Sequence, residues 1–485
     1  MQLQRFAPFA FCTLSLLVLL LAGCPKPEEP PPAPRVDDGQ PVRILVLDDP
    51  QLAEVIEKTW RARSEAPLEV RSQRSSELGA TSRLGADAVI YPSGLLGELA
   101  ERNLLLPLAD DMQADPQLNQ HDVLDMVRLR EIRWGEEVYA VSFGSPVFLL
   151  AYRHDIFEKA GVQPPTTWEE YQRLVTHLAK RENLGDAAPP ADQPWYGTVE
   201  AWGAGWGSQT LLARAASGVR HHNQYSDLFD FASMRPLVGG PPFVRALEQL
   251  AATAEFAPPE SKSYSPHDAY RTLAVGQAAM AICWPPSSQV AARANSAEKA
   301  EANLAIRWTE LPGSREAYNF SEDRWEARGP QEPIHVPLLA AAGRLGSVTR
   351  ETSRAKAALH VLAVLSGEWS VDIAPASSAT TIYRQSHLIS PTVWCPADAD
   401  PEAVASYANA AHASLTRGVW MFSPRIPGRE QYLAALDEAV QKTLAGEASP
   451  QEALFNVAEQ WTHITEQRGR EKQIDAYERS LGLEP

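Results

Sequence analysis

Thirteen tryptophans are the residues best suited to do chemistry in this sequence. Trp195, Trp202 and Trp206 fall in one glycine-rich stretch, Trp284 precedes Pro285-Pro286, and Trp394 and Trp420 lie in irregular segments. A sugar ring presents a face of C–H bonds and a rim of hydroxyls. Binding it takes a flat aromatic under the face and carboxylates or amides at the rim. Asp48-Asp49, at the end of an apolar run, supplies such carboxylates. For each of these tryptophans the alternative is a place in the core. Trp60, Trp168, Trp369 and Trp461 read as core or helix packing.

Other chemistries find less support. The sequence has no HExxH and no GxSxG. His221-His222-Asn223 is a local cluster, but adjacent histidines point in different directions, and it reads as a solvated loop rather than a metal site. "GAGWG", Gly203 to Gly207, is half a nucleotide fingerprint, without the preceding strand and the later acid that a dinucleotide site needs. With 61 acidic residues a carboxylate pair can be chosen at will, so Asp48-Asp49 is no evidence of hydrolysis. The expectation is a binding protein with no catalytic residue, metal or cofactor.

The elements that must position these residues follow from periodicity. Val42 to Leu47 is a strand ending at Asp48-Asp49-Pro50. Leu52, Val55, Ile56 and Trp60 share a helical face. Leu68 to Val70 and Gly85 to Pro92 are further strands, and Leu95 to Glu101 a helix. Such alternation predicts a parallel sheet of βαβ units, which binds ligands at the carboxyl ends of its strands. Asp48, Asp49 and Tyr91-Pro92-Ser93 stand at those ends. Val138 to Tyr152 is a long extended run broken at Gly144 and Pro146. Thr167-Trp168-Glu169-Glu170 matches a capping box, in which the threonine caps and the glutamate reaches back. Further helices are predicted over Pro242–Thr253, His267–Val275, Ser353–Ser366, Glu430–Leu444 and Pro450–Arg468.

The amino terminus carries a different message. Arg5 gives a positive start, Phe6 to Leu21 is mostly apolar, and Leu21-Ala22-Gly23-Cys24 ends the run with small residues before a cysteine. The run is short for a membrane span and sits where a signal peptide sits. Its ending resembles the lipobox of bacterial lipoproteins, which implies that residues 1–23 are removed and Cys24 is lipidated. Seven prolines among charges follow between Pro25 and Pro41. This segment, 24–41, reads as an extended tether of roughly 50 Å at ~3.1 Å per residue. The net charge of −17 argues against nucleic-acid binding and against adhesion to anionic lipid heads, so a membrane attachment would rest on the lipid. Beyond Cys12 and Cys24, only Cys283 and Cys395 remain, either as a disulfide or as two free buried thiols.

Four stretches carry a resemblance to a known family: "LLAYRHDIFEKAGVQPPTTWEEY" (Leu149 to Tyr171), "AYRTLAVGQAAMAICWPP" (Ala269 to Pro286), "SRAKAALHVLAVLSGEWS" (Ser353 to Ser370) and "PRIPGREQYLAALDEAVQKTLAGEASPQEALFNVAEQW" (Pro424 to Trp461). With "ADAVIYPSGLLGELAERNLLLPLADD", Ala86 to Asp111, their order and spacing resemble the family 1 extracellular solute-binding proteins of ABC importers, the maltose-binding group. The resemblance implies an α/β, periplasmic-binding-protein-like fold: two discontinuous lobes, a hinge, and a ligand cleft between the lobes. The first lobe takes 41–143 and 311–372, the second 144–310 and 373–485. The family match puts Asp48, Asp49 and Tyr91 on the first-lobe side of the cleft. It puts Trp202 or Trp206 on a second-lobe platform, Trp284 after the Ala-Met strand, and Trp420 near a late cleft aromatic. "NFSEDRWEARGPQEPIHVP", Asn319 to Pro337, departs from the family's usual link.

The function implied is a monomeric, lipid-anchored receptor of the cell envelope. It would capture a sugar or oligosaccharide and hand it to an ABC transporter permease, without making or breaking a bond. A sensor or scavenger lipoprotein of the same fold, and an exported carbohydrate-active enzyme, are the alternatives.

Overall fold

The computed structural model describes residues 39–293 and 304–483. The signal peptide, Cys24 and nearly all of the tether expected above lie outside the described residues. The body begins at Gln40, and the Arg354 guanidinium holds that start by donating to the Gln40 and Pro41 carbonyls.

Val42–Leu47 is an aliphatic run, and a strand of a parallel sheet covered on both faces needs one. It lies between Leu68–Gln73 and Ala88–Pro92, parallel to both. Arg344–Val348 then pairs antiparallel with Ala88–Pro92, and Val141–Gly144 closes the five-stranded sheet. Helix Pro50–Arg63 follows the first strand. Asp49 caps it by accepting from the Leu52 N–H at 3.0 Å, and Pro50 occupies its first turn, where no N–H is needed. Leu52, Ala53, Ile56 and Trp60 are its buried face.

Five residues past Gly144, at Leu149, the chain enters the second sheet, ordered Ile306–Glu310, Leu149–Arg153, Met280–Cys283, Val199–Glu200. The two halves of the run "VYAVSFGSPVFLLAYR" thus belong to different sheets, and the Gly144–Pro146 break is the crossing. Helices Gly207–Val219 and Pro241–Ala254 pack together beside this sheet, and Pro401–Thr416 lies on Ile306–Glu310. Thr167 caps its helix as predicted, but Glu170 reaches one residue further, to the N–H and hydroxyl of Thr166 at 2.8 Å each.

Two stretches cross the expected lobe boundaries. The hairpin Glu316–Asn319 with Arg324–Ala327 sits on second-lobe helices, not on the first lobe. Trp325 lies under the Arg245 guanidinium at 3.3 Å, and Arg328 donates to the carbonyls of Ser217 and Arg220 at 2.6 and 2.8 Å. The chain rejoins the first sheet only at Arg344. Conversely, the last helix, Arg470–Leu481, returns to the first lobe. Arg479 pairs with Glu101 at 2.6 Å, and its carbonyl accepts from the Gly135 N–H at 2.9 Å. Among the described residues no single helix is long and apolar enough to cross a membrane.

Candidate functional site

The registers of both sheets place their strand ends at one junction. The parallel strands of the first sheet end in Asp48, Ser75-Ser76 (just past Gln73) and Ser93, and Arg344 opens its antiparallel strand at the same edge. In the second sheet Leu149 pairs with Cys283 and with Glu310, and Glu200 with Ile282. Trp284 and the Trp202–Trp206 loop therefore stand at the edge nearest the crossing.

An aromatic face forms there. The Trp206 and Trp284 rings lie 5.5 Å apart at 62°, and Phe148, in the crossing itself, meets Trp284 at 5.4 Å and Trp206 at 6.4 Å. His267 reaches Trp284 at 6.1 Å. The glycines of "GAGWG" serve this loop. Gly205 has φ +79°, and a Cβ at Gly203 would come within 2.7 Å of the Ser263 backbone. The loop is pinned by Asp437, which accepts from the Gly205 and Ser208 N–H groups at 2.9 and 2.7 Å. Burial raises the Asp437 carboxyl above its ordinary range.

A polar seam runs beside the crossing. Arg425 is 2% exposed, yet it donates to the carbonyls of Glu131 at 3.1 Å and Ser480 at 2.7 Å, and its guanidinium lies 3.7 Å over the Phe422 ring. Burial lowers its pKa to about 10. Glu131 is completely buried; Ser145 donates to it at 2.5 Å, and burial pushes its carboxyl up to about 7. Two glycines let this segment approach helix Leu96–Glu101 and the turn before it. A Cβ at Gly97 would lie 2.2 Å from the Arg425 carbonyl oxygen, and one at Gly94 would lie 2.2 Å from Arg429 Nε. Glu98 also accepts from the Gly428 N–H at 3.2 Å. Ser75, Leu95, Glu98, Arg102, Arg429 and Gln431 line a groove of about 370 Å³ between the two sides.

Residues 73–311 match the sequence profile of the family described as bacterial extracellular solute-binding protein. Over that stretch the chain carries the family's profile. Its fold is that of the periplasmic binding proteins, as solved structures similar to it show. The sugar-binding protein MalE of Xanthomonas citri superposes with a TM-score of 0.64 at 16% identity, covering 88% of this chain and 98% of its own. A solute-binding protein of Agrobacterium radiobacter in complex with ribitol gives 0.62 at 20% identity, covering 87% and 100%. Maltose-bound MalE3 of T. maritima gives 0.60 at 16% identity, covering 87% and 99%. No curated protein matches significantly.

In this protein the residues singled out in the sequence fall into three groups. Trp206 and Trp284 meet, but only Trp206 is partly exposed; Trp284 is 2% exposed, and its indole N–H has no partner among the described residues. Trp202 is buried behind them, with its carbonyl accepting from Gln441 at 2.5 Å. The first-lobe residues have structural partners. Asp49 is buried against Arg344 at 3.1 Å and the Ser377 hydroxyl. Tyr91 is buried, its hydroxyl 2.7 Å from Ser347 and its pKa raised by burial. Asp48 is exposed at φ +57° and accepts from the Ser75 N–H at 2.9 Å. Trp420 stands apart from the aromatic face, between the guanidiniums of Arg130 at 4.4 Å and Arg220 at 5.6 Å.

Cys283 and Cys395 are free and buried, so the disulfide alternative is not realised; burial raises both thiols, Cys395 to about 12. His221 and His222 do not diverge as expected. Their rings stack at 4.3 Å, and His221, 2% exposed, lies 3.1 Å from Glu326. Among the described residues no group of three His, Cys, Asp or Glu is placed to hold a metal. The sequence reading missed Phe148, Glu131, Arg425, Arg429 and Asp437. Arg425 and Arg429 flank the prolyl turn of "PRIPGRE", and a basic pair ahead of a helix at a lobe boundary was the available signal.

Proposed function

We propose that this protein is an extracytoplasmic receptor that captures a neutral sugar, oligosaccharide or polyol between its lobes. It would be held at a membrane by a lipid on Cys24 and present its cargo to an ABC importer. The carrying observation is the partly exposed Trp206 ring, held by Trp284, Phe148 and the Asp437-pinned loop. A flat indole fixed by its neighbours matches the apolar face of a sugar ring. The solved relatives carrying ribitol and maltose support the same ligand class. Binding would stabilise the closed pair of lobes, and a permease would read that closed form. The reading requires no bond to be made or broken.

A thermal-shift panel of mono-, di- and oligosaccharides with ribitol and mannitol tests the ligand class. A ligand at 100 times its dissociation constant adds ~2.7 kcal/mol of stability. A panel that leaves the melting temperature unmoved at millimolar concentrations would reject the sugar reading. The anchor is tested separately: Cys24→Ala should release the protein from membranes or leave it unprocessed. A variant processed and membrane-bound like the parent would reject the lipid.

A further inference from the structure

A second cavity, of about 360 Å³, opens where the segment 129–136, the Arg425 segment and the last helix meet. Arg130, Arg133, Arg425 and Arg479 line it, with Glu136 as the one acidic side chain. None of its lining residues belongs to the aromatic face. In a chain of net charge −17, four arginines converging on one hollow run against the average field.

Arg130 and Arg133 are the least engaged of the four by local partners. Arg425 spends its terminal nitrogens on carbonyls, but its Nε is buried with no partner among the described residues. Arg130 Nε is likewise buried and unpartnered, and no described residue forms an ion pair with Arg130; the Trp420 ring supports its guanidinium at 4.4 Å. Arg133 donates to the Glu136 carbonyl at 2.5 Å, and Arg479 pairs with Glu101. Stacking on an aromatic fixes the guanidinium plane and leaves its N–H edge free for a planar or tetrahedral oxyanion. An oxyanion in the cavity would accept charge-assisted hydrogen bonds from the accessible guanidinium edges of the half-buried Arg130 and Arg133.

We propose that this pocket binds a small dianionic oxyanion, a phosphate or sulfate group, either free or carried on a small molecule. Arg130 and Arg133 come from the first lobe, Arg425 from the segment leading into a second-lobe helix, and Arg479 from the last helix. A bound anion therefore ties these three parts together. The site stands independently of the sugar reading, since its residues and its ligand charge differ.

Isothermal titration calorimetry on the purified protein, at constant ionic strength, tests it with inorganic phosphate, inorganic sulfate, glucose 6-phosphate and glucose. Saturable heat is the readout because phosphate and sulfate stabilise folded proteins non-specifically by exclusion. The expected result is one site for phosphate or sulfate. Glucose 6-phosphate binding at least tenfold tighter than phosphate, with glucose silent here, would mark a carried group; equal affinities would mark the free ion. Arg130→Gln and Arg133→Gln should each weaken binding roughly tenfold, and Arg133→Lys should recover part of the loss. Neutral-sugar affinity should stay unchanged in both glutamine variants. No saturable heat with any of the three anions, or undiminished affinity in both variants, would overturn the proposal.

Discussion

The lobe junction has two unlike regions. The polar seam is dry and wired: Glu131 and Arg425 are buried, and Gly97 lets the Arg425 backbone press against a first-lobe helix. Asp49 extends the same style of construction to the sheet edge, tying the first strand to Arg344 and Ser377. The aromatic face carries little hydrogen bonding of its own, and Trp206 is partly open to solvent. The seam is mostly cross-linked and can fix geometry, since Arg425 donates to the Glu131 and Ser480 carbonyls and Ser145 donates to Glu131. The face has a partner still to gain, so recognition falls to it. Changes in the seam should therefore cost stability first, and changes in the face should cost affinity first.

Asp49→Ala should give the largest effect. It removes a helix cap and leaves the buried Arg344 guanidinium unpaired, costing about 3–5 kcal/mol in denaturant unfolding. An unaltered unfolding midpoint with lost ligand affinity would move Asp49 from the seam to the binding face.

Glu131→Gln should change the pH profile. Folded Glu131 keeps its proton up to about pH 7, whereas an unfolded glutamate releases it near its ordinary value. Between those values the folded state binds more protons, so this group's contribution to stability falls as pH rises. The variant lacks that slope. Its stability relative to the parent should rise from pH 4.5 to 8, by on the order of 3 kcal/mol at most. Parallel pH–stability curves would show that Glu131 does not titrate in this window.

Gly97→Ala sharpens the contrast within the seam, because the clash is with backbone and with the Trp134 ring. It should cost about 1–3 kcal/mol. A silent substitution would mean that the two segments do not approach so closely. The smallest effect expected is on redox: alkylation after denaturation without reductant should label both Cys283 and Cys395. A protected pair would restore the disulfide.

The fold was legible where apolar pattern and turn chemistry agree. The strand Val42–Leu47 and helix Pro450–Arg468 coincide with their predicted bounds. Helix Gly207–Val219 was not legible because it is buried on every side and shows no polar stripe to set its period. The packing of the hairpin around Trp325 is not legible, because its contacts are helix faces far away in sequence. At the site, the sequence offers Trp202 or Trp206 and, separately, Trp284, and the meeting of Trp206 with Trp284 is visible only in the structure. The burial of Trp284, Tyr91 and Asp49 is not legible either, since it depends on what the other elements bring to them. Arg425 and Glu131 look like surface charges in the sequence, and only the meeting of the lobes buries them.

The central claim is that the aromatic face recognises and the seam holds. One calorimetric comparison tests it: titrate the best sugar or polyol from the panel into the parent and into Trp206→Ala, with unfolding measured on the same samples. The account predicts one saturable site in the parent. In the variant, affinity should fall roughly tenfold or more, with unfolding free energy changed by less than about 1 kcal/mol. Equal affinities, or a variant that loses stability while binding as the parent does, would contradict it.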